Sequence, residues 1–259
     1  MFSLYYPVIR WAERRALIGR NRHRTKPEQG RFTGAEVDGL VKTAWRKYEG
    51  LVPNLPPQPT LGSRMNVQFS ALTLSLFQVL LDAGIERPYA VELVSDTTWH
   101  VYKQLGRFVQ LLTRILPRSV TKPMQNDADV ARHVEQDGTF ALGFPFTAPG
   151  YIAHYIPMHG AAGFDMVRCP VAQIFREHGM ADLGKASWCD LDYALGDIKH
   201  LRLERSTTIM EGSDRCTFRL HFDAATATSD SSDGTTTKAP LKAGPYMHGC
   251  CASLVPPSA

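Results

Sequence analysis

Residues 164–196, FDMVRCPVAQIFREHGMADLGKASWCDLDYALG, and residues 197–222, DIKHLRLERSTTIMEGSDRCTFRLHF, decide the fold. Residues 164–168 read as a strand that enters a helix at Cys169-Pro170, since proline suits the first helical position. Val171, Ala172, Ile174 and Phe175 form the apolar stripe of that helix, and Gly179 supplies its stop. Residues 198–210 and 215–222 read as a β-hairpin joined by Glu211-Gly212-Ser213-Asp214. Its second strand alternates, with Cys216, Phe218, Leu220 and Phe222 on one face and Thr217, Arg219 and His221 on the other.

Upstream, the periodicity is helical. Residues 1–20 fit a short amphipathic helix after Pro7, which the spacing docks through Trp11 and Leu17. A second helix over 33–48 opens on Thr33 with Glu36 three residues on, the spacing of a capping box, and ends in the proline-rich LVPNLPPQPT. A third over 66–83 is closed by Gly84, and a fourth starts near Pro88 and keeps its period until Pro117. Between 140 and 156 aromatic and β-branched residues are interleaved with glycine and proline, which predicts short strands or an ordered loop. Helices early and strands late predict an α+β fold, with an N-terminal helical layer packed on a C-terminal antiparallel sheet and one inserted helix. The expected organisation is a basic segment at 1–32, one domain at 33–223 and a tail at 224–259 too poor in bulky apolar residues to order itself.

Charge and cysteines narrow the function classes. The net charge of +4 is concentrated in residues 1–31, which hold Arg10, Arg14, Arg15, Arg20, Arg22, Arg24, Lys26 and Arg31 against Glu13 and Glu28. A nucleic-acid face spread over the fold is therefore not expected. The basic helix offers a contact for anionic membrane, but a solvated helix docked on the domain is the preferred reading. The 5 cysteines are odd in number, and charged residues interrupt the apolar start before it can form a signal peptide, so free or ligating thiols in a reducing cytoplasm are expected. Nothing in the sequence sets an oligomeric state.

The chemistry-bearing residues lie in the quoted stretch. Cys169 falls at a helix N-cap, where unpaired backbone N–H groups and neighbouring Arg168 favour a thiolate, so it is a candidate nucleophile or ligand; a small apolar side chain filling a corner is the alternative. Asp190 and Asp192 flank Leu191 beside Cys189, and they share a face only if the chain there is extended. Such a pair can divide acid and base roles or bind a cation. Cys216 sits on the apolar face of its strand and reads as a core residue. Cys169, Cys189 and Cys216 lie 20 and 27 residues apart without a C-x-x-C pair. Cys/Asp/His ligation of a divalent metal such as zinc is chemically permissible but not specified by that spacing. His154 and His159, five apart, do not form a helical zinc signature.

Three motifs carry a resemblance. F-D-x-V-R-C-P at 164–170, W-C-D-L-D at 188–192 and R-x-x-T-x-x-x-G-x-x-x-C-x-F at 205–218 resemble the L-2-amino-thiazoline-4-carboxylate hydrolase family. The resemblance covers roughly residues 33–222, weakening toward the N-terminus. It implies a hydrolase that opens a cyclic amidine ring bearing a carboxylate, toward cysteine. Carried over by position are Arg168, Cys169, Cys189, Asp192, Arg205, Thr208, Gly212 and Cys216. On that footing Cys169, Cys189 and Asp192 are candidates for catalysis, joined by neighbouring Asp190, and Arg168, Arg205 and Thr208 are candidates for holding a small carboxylate substrate, joined by His159 from outside the motifs. The short G-x-x-x-C-x-F ending also resembles four-vinyl-reductase-type domains, which implies the alternative of a non-catalytic module that binds a small molecule or metal.

Overall fold

In a computed structural model of the chain, the structure describes residues 6–113, 150–158, 161–193 and 201–222. Four helices come first: α1 (Tyr6–Leu17), α2 (Gly34–Leu51), α3 (Leu61–Asp82) and α4 (Arg87–Thr113). The strands follow as β1 (Ile152–Met158), β2 (Ala161–Arg168), β3 (Leu201–Glu204) and β4 (Cys216–Phe222), with α5 (Pro170–Glu177) and α6 (Ala181–Gly184) between β2 and β3. The sheet order is β1-β2-β4-β3, and every neighbouring pair is antiparallel. The α+β architecture with a helical N-terminal half is thus as expected.

Local chemistry sets the helix ends. The Thr33/Glu36 box closes in both directions, with Glu36 N–H donating to Thr33 Oγ1 at 3.4 Å and Thr33 N–H to Glu36 Oε2 at 2.8 Å. Helix α3 begins five residues before the expected 66 because Thr60 and Ser63 form a second box, with serine where the motif normally has glutamate. Gly84, at φ 81°, ends the same helix, and Ile85 N–H returns to the Leu80 carbonyl as in a Schellman turn. Ser70, Thr73 and Ser75 of α3 donate to the carbonyls four residues back, which allows these hydroxyls to be buried in the helix packed most centrally in the core. No described helix is long and apolar enough to cross a membrane.

Helix α1 packs against α2 and α4 and contributes Ile9, Ala12 and Leu17 to the core. Leu17 docks as expected, but Trp11 does not: it is 48 % exposed, because the buried face of α1 runs through 9, 12, 13 and 17. Much of the local basic excess is neutralised within the fold. Arg20 pairs with Asp96 and Arg24 with Glu92 on α4, while Arg14 pairs with Asp38 and Arg22 with Glu36 near the start of α2.

Burial of Glu13 among these helices has a measurable cost. Its carboxylate accepts from Trp45 Nε1 at 2.8 Å, yet only 3 % of the residue is exposed. Burial pushes its carboxyl up to about 7, against the lowering by Trp45 and Arg10. An acid raised in the folded state holds its proton longer than in the unfolded chain, so stability is full below about 4.5 and declines as pH rises to about 7. The loss is on the order of 3 kcal/mol. Glu13→Gln keeps an acceptor for Trp45 and removes the charge. It is expected to raise the urea midpoint at pH 8 and leave it nearly unchanged at pH 5; an equal effect at both values would show that ionisation is not the cause.

One strand expectation is corrected. β3 stops at Glu204 and does not run to 210, because Arg205 turns inward and the backbone N–H groups of Ser206 and Thr207 are taken by Thr217 Oγ1 at 3.0 and 3.2 Å. Residues 209–211 then form a 3₁₀ turn in place of strand. Of the 140–156 segment, β1 accounts for the described part, and residues 140–149 lie outside the described residues, as do 224–259.

Candidate functional site

The strand-to-helix junction places Cys169 at the N-cap of α5, where its Sγ accepts from Ala172 N–H at 3.4 Å. The position is as expected, but the electrostatics run the other way. Burial pushes the thiol up to about 12, and the backbone donors of Ala172 and Val171 lower it too little to compensate. Arg168, at the end of β2, is exposed and is not among the groups that shift it. Cys169 is therefore a neutral thiol at physiological pH. Burial also raises Cys189, with Asp192 adding to the effect, and raises Cys216, whose Sγ accepts from Ile209 N–H at 3.2 Å. All three thiols are free.

Beyond α6 the backbone widens into a π turn at Lys185–Cys189, marked by the Asp190 N–H bond to the Lys185 carbonyl five residues back. Trp188 anchors this turn between α3 and α4, donating Nε1–H to Thr73 Oγ1 at 3.3 Å and meeting Tyr102 edge to face. Gly184 permits the approach, since a Cβ there would lie 2.5 Å from Met210 Sδ and 2.7 Å from Phe175 Cγ. The chain stays helical through 191–193, so Asp190 and Asp192 leave on different faces, and Asp190 reaches Asp192 only through its charge, the smallest of the influences on that carboxyl. Asp190 is exposed, and Asp192 turns toward the thiols.

Asp192 is the electrostatic centre of the cluster. Burial raises the thiols of Cys169, Cys189 and Cys216 and the phenols of Tyr102 and Tyr151, and the charge of Asp192 adds to the rise in each, although these groups arrive from α4, from the residue before β1, from the N-cap of α5, from the π turn and from β4. Burial raises its own carboxyl toward about 6, ahead of the lowering by Arg205. The side chain keeps 39 % of its surface open to solvent.

Arg205 holds Asp192 in place. Nη1 donates to Asp192 Oδ2 and Nη2 to the Cys189 carbonyl, both at 2.7 Å. The guanidinium lies 5.0 Å from the Tyr193 ring centre and 5.3 Å from that of Phe218, and Phe218 stacks on Phe164 at 4.5 Å. Its side chain is 3 % exposed, and among the described residues its Nε has no acceptor. Both ends of the fork being taken, a bidentate grip on a substrate carboxylate is not open to Arg205 unless it releases Asp192.

Thr208 is a cap: its hydroxyl accepts from Glu211 N–H at 3.1 Å and donates to Glu211 Oε2 at 3.0 Å. Gly212 follows in the left-handed region at φ 99°. Asp165, the aspartate of the first motif, lies on the opposite sheet face, where Arg219 and Arg215 bind it at 2.8 and 3.3 Å; burial works to raise it, and the two cations outweigh that and hold it below the usual carboxylate range. His154 faces Asp165 across β1 and β2, away from the cluster, and His159 lies outside the described residues. Among the described residues no group of three or more His, Cys, Asp or Glu converges as a metal-binding set. Sequence reasoning missed Tyr102, Tyr151 and Asn66, whose Nδ2 donates to the Tyr151 hydroxyl at 3.3 Å. Their only signal was an aromatic or amide residue on segments far from the motifs.

The site is thus a cluster of neutral thiols and phenols around one clamped carboxylate, at the junction of a helical layer and an antiparallel sheet. Residues 103–220 match the family model of L-2-amino-thiazoline-4-carboxylic acid hydrolase. The match runs from α4 to β4, takes in Cys169, Cys189, Asp192, Arg205 and Cys216, and bears out the resemblance read from the motifs over that span; it reaches neither residues 33–102 of the expected extent nor the four-vinyl-reductase likeness. No curated protein and no solved structure matches the chain.

Proposed function

We propose that the protein hydrolyses a cyclic amidine carboxylate of the L-2-amino-thiazoline-4-carboxylate type, with Asp192 as the base that activates water. The observation that carries this reading is the Asp192–Arg205 clamp set among neutral thiols. Asp192 is the ionised group at the centre of the cluster, and its carboxyl is raised toward the range where it both accepts and returns a proton. The family description names this substrate.

In the reaction, water adds to the ring carbon bonded to sulfur and to two nitrogens, and the ring carbon–sulfur bond then breaks. One water proton ends on the ring nitrogen and the other on the departing sulfur, while the oxygen becomes the carbonyl of a carbamoyl group. Asp192 carries these protons. Arg205 sets its orientation and offers the remaining Nε–H to the substrate carboxylate. Tyr151, held by Asn66 and protonated at neutral pH because burial raises it, is a donor for the ring. Cys169, neutral and buried, serves as wall and not as nucleophile.

The test is incubation of purified protein with the aminothiazoline carboxylate and a chromogenic thiol reagent, alongside elemental analysis for bound metal. One new thiol per substrate consumed is expected. Cys169→Ala is expected to retain turnover within about tenfold of the parent, whereas loss on the 10²- to 10⁴-fold scale of a removed nucleophile or base would return that role to Cys169. No turnover with a stoichiometric metal would overturn the hydrolase reading.

A further inference from the structure

The outward face of α1 is amphipathic in its own right. Its inward face is already occupied by the core, yet Trp11 is 48 % and Ile18 38 % exposed, two turns apart on the same side, with Arg14 and Arg15 between them. Trp11 lies in a groove of about 570 Å³ between α1 and α2, which Arg10, Lys42 and Arg46 also line, with Asp38 and Glu49 as its acidic members. Asp38 is already paired with Arg14. Arg10 stacks over Trp45 at 4.4 Å and Arg15 over Trp11 at 5.5 Å, while Lys42 and Arg46 make no ion pair among the described residues. An excess of cations therefore surrounds the most exposed tryptophan side chain of the described fold.

We infer that this α1–α2 face docks the protein on an anionic lipid surface. The pattern matches an interfacial helix face: an indole and a branched aliphatic chain reach the headgroup boundary, while flanking cations meet the phosphates and lay their stems along apolar surface. The charge complementarity selects the occupant. A zwitterionic bilayer would leave Arg15, Lys42 and Arg46 without counter-charges, and a polyanion without an apolar phase would leave Trp11 and Ile18 in water. The face is distinct from the thiol cluster, so docking leaves the candidate chemistry accessible.

Full-length protein is mixed with vesicles of phosphatidylcholine with and without phosphatidylglycerol, and sedimentation and tryptophan emission are followed at low and high salt. Binding is expected only with the anionic lipid, with a blue shift of emission and weakening at high salt. Arg15→Gln/Lys42→Gln/Arg46→Gln is expected to lower partitioning by roughly a hundredfold. Trp11→Ala is expected to lower it by roughly tenfold and to abolish most of the blue shift. Melting temperatures should be unchanged in both variants, since all four side chains are exposed. Equal binding to phosphatidylcholine alone, no binding to either vesicle, or undiminished binding by the variants would overturn the inference. So would displacement by inorganic phosphate but not by chloride at equal ionic strength, which would mark a discrete anion site, or saturable binding of a DNA duplex without vesicle binding.

Discussion

Asp192→Asn is expected to lower thiol release from the aminothiazoline carboxylate by roughly 10²- to 10⁴-fold, the range for removal of a positioned general base. In the parent, activity should rise with pH, because the base works only when deprotonated. The rising limb should fall between the ordinary carboxyl value of 3.8 and the raised value of about 6. Asparagine keeps an acceptor for Arg205 but leaves that buried cation without its counter-charge, so a loss of fold has to be told apart from a loss of chemistry. Asp192→Glu does this: it preserves the charge and the pairing and displaces the carboxylate by one methylene. It should melt close to the parent and still lose at least about tenfold in kcat, since a shift near 1 Å is costly to an aligned proton transfer. Full activity in a folded Asp192→Asn protein, with an unaltered pH profile, would remove Asp192 from the mechanism.

How far the site was legible depended on whether a feature is written locally. Cys169-Pro170 marked the N-cap of α5 directly, and Thr33 with Glu36, Gly84 and Gly179 marked helix ends, because caps are satisfied by residues three or four positions away. The charge state of Cys169 was not local. The N-terminal dipole argued for a thiolate, but burial against distant segments won, and nothing near position 169 encodes that burial. The π turn at Lys185–Cys189 has no propensity signature, and it was the helical chain continuing beyond it through 191–193 that separated Asp190 from Asp192. Arg205 was hidden by its neighbours: it interrupts a run that alternates as strand, and its meaning emerges only when β4 brings Phe218 and the 189–193 turn brings Asp192 to its two sides.

Arg205→Met is expected to be among the most destabilising single substitutions in the fold, by about 3 kcal/mol, the lower end of the range for breaking a buried ion pair. The lower end applies because Asp192 retains 39 % side-chain exposure and can recover part of its solvation, whereas Arg205 itself has 3 %. Three further losses act in the same direction. The Cys189 carbonyl loses its 2.7 Å donor, Tyr193 loses the cation over its ring, and the column Tyr193–Arg205–Phe218–Phe164 is cut between the π turn and the sheet. Arg205→Lys should recover only part of this, since one ammonium cannot reach both acceptors and keep a planar face against two rings. The double variant Asp192→Asn/Arg205→Met should be less destabilised than the sum of the singles, because removing both partners leaves no uncompensated charge. Urea denaturation of the four proteins at neutral pH measures the coupling. Additive effects, or a loss below about 1 kcal/mol for Arg205→Met, would mean that Arg205 is not the clamp joining the candidate base to the sheet.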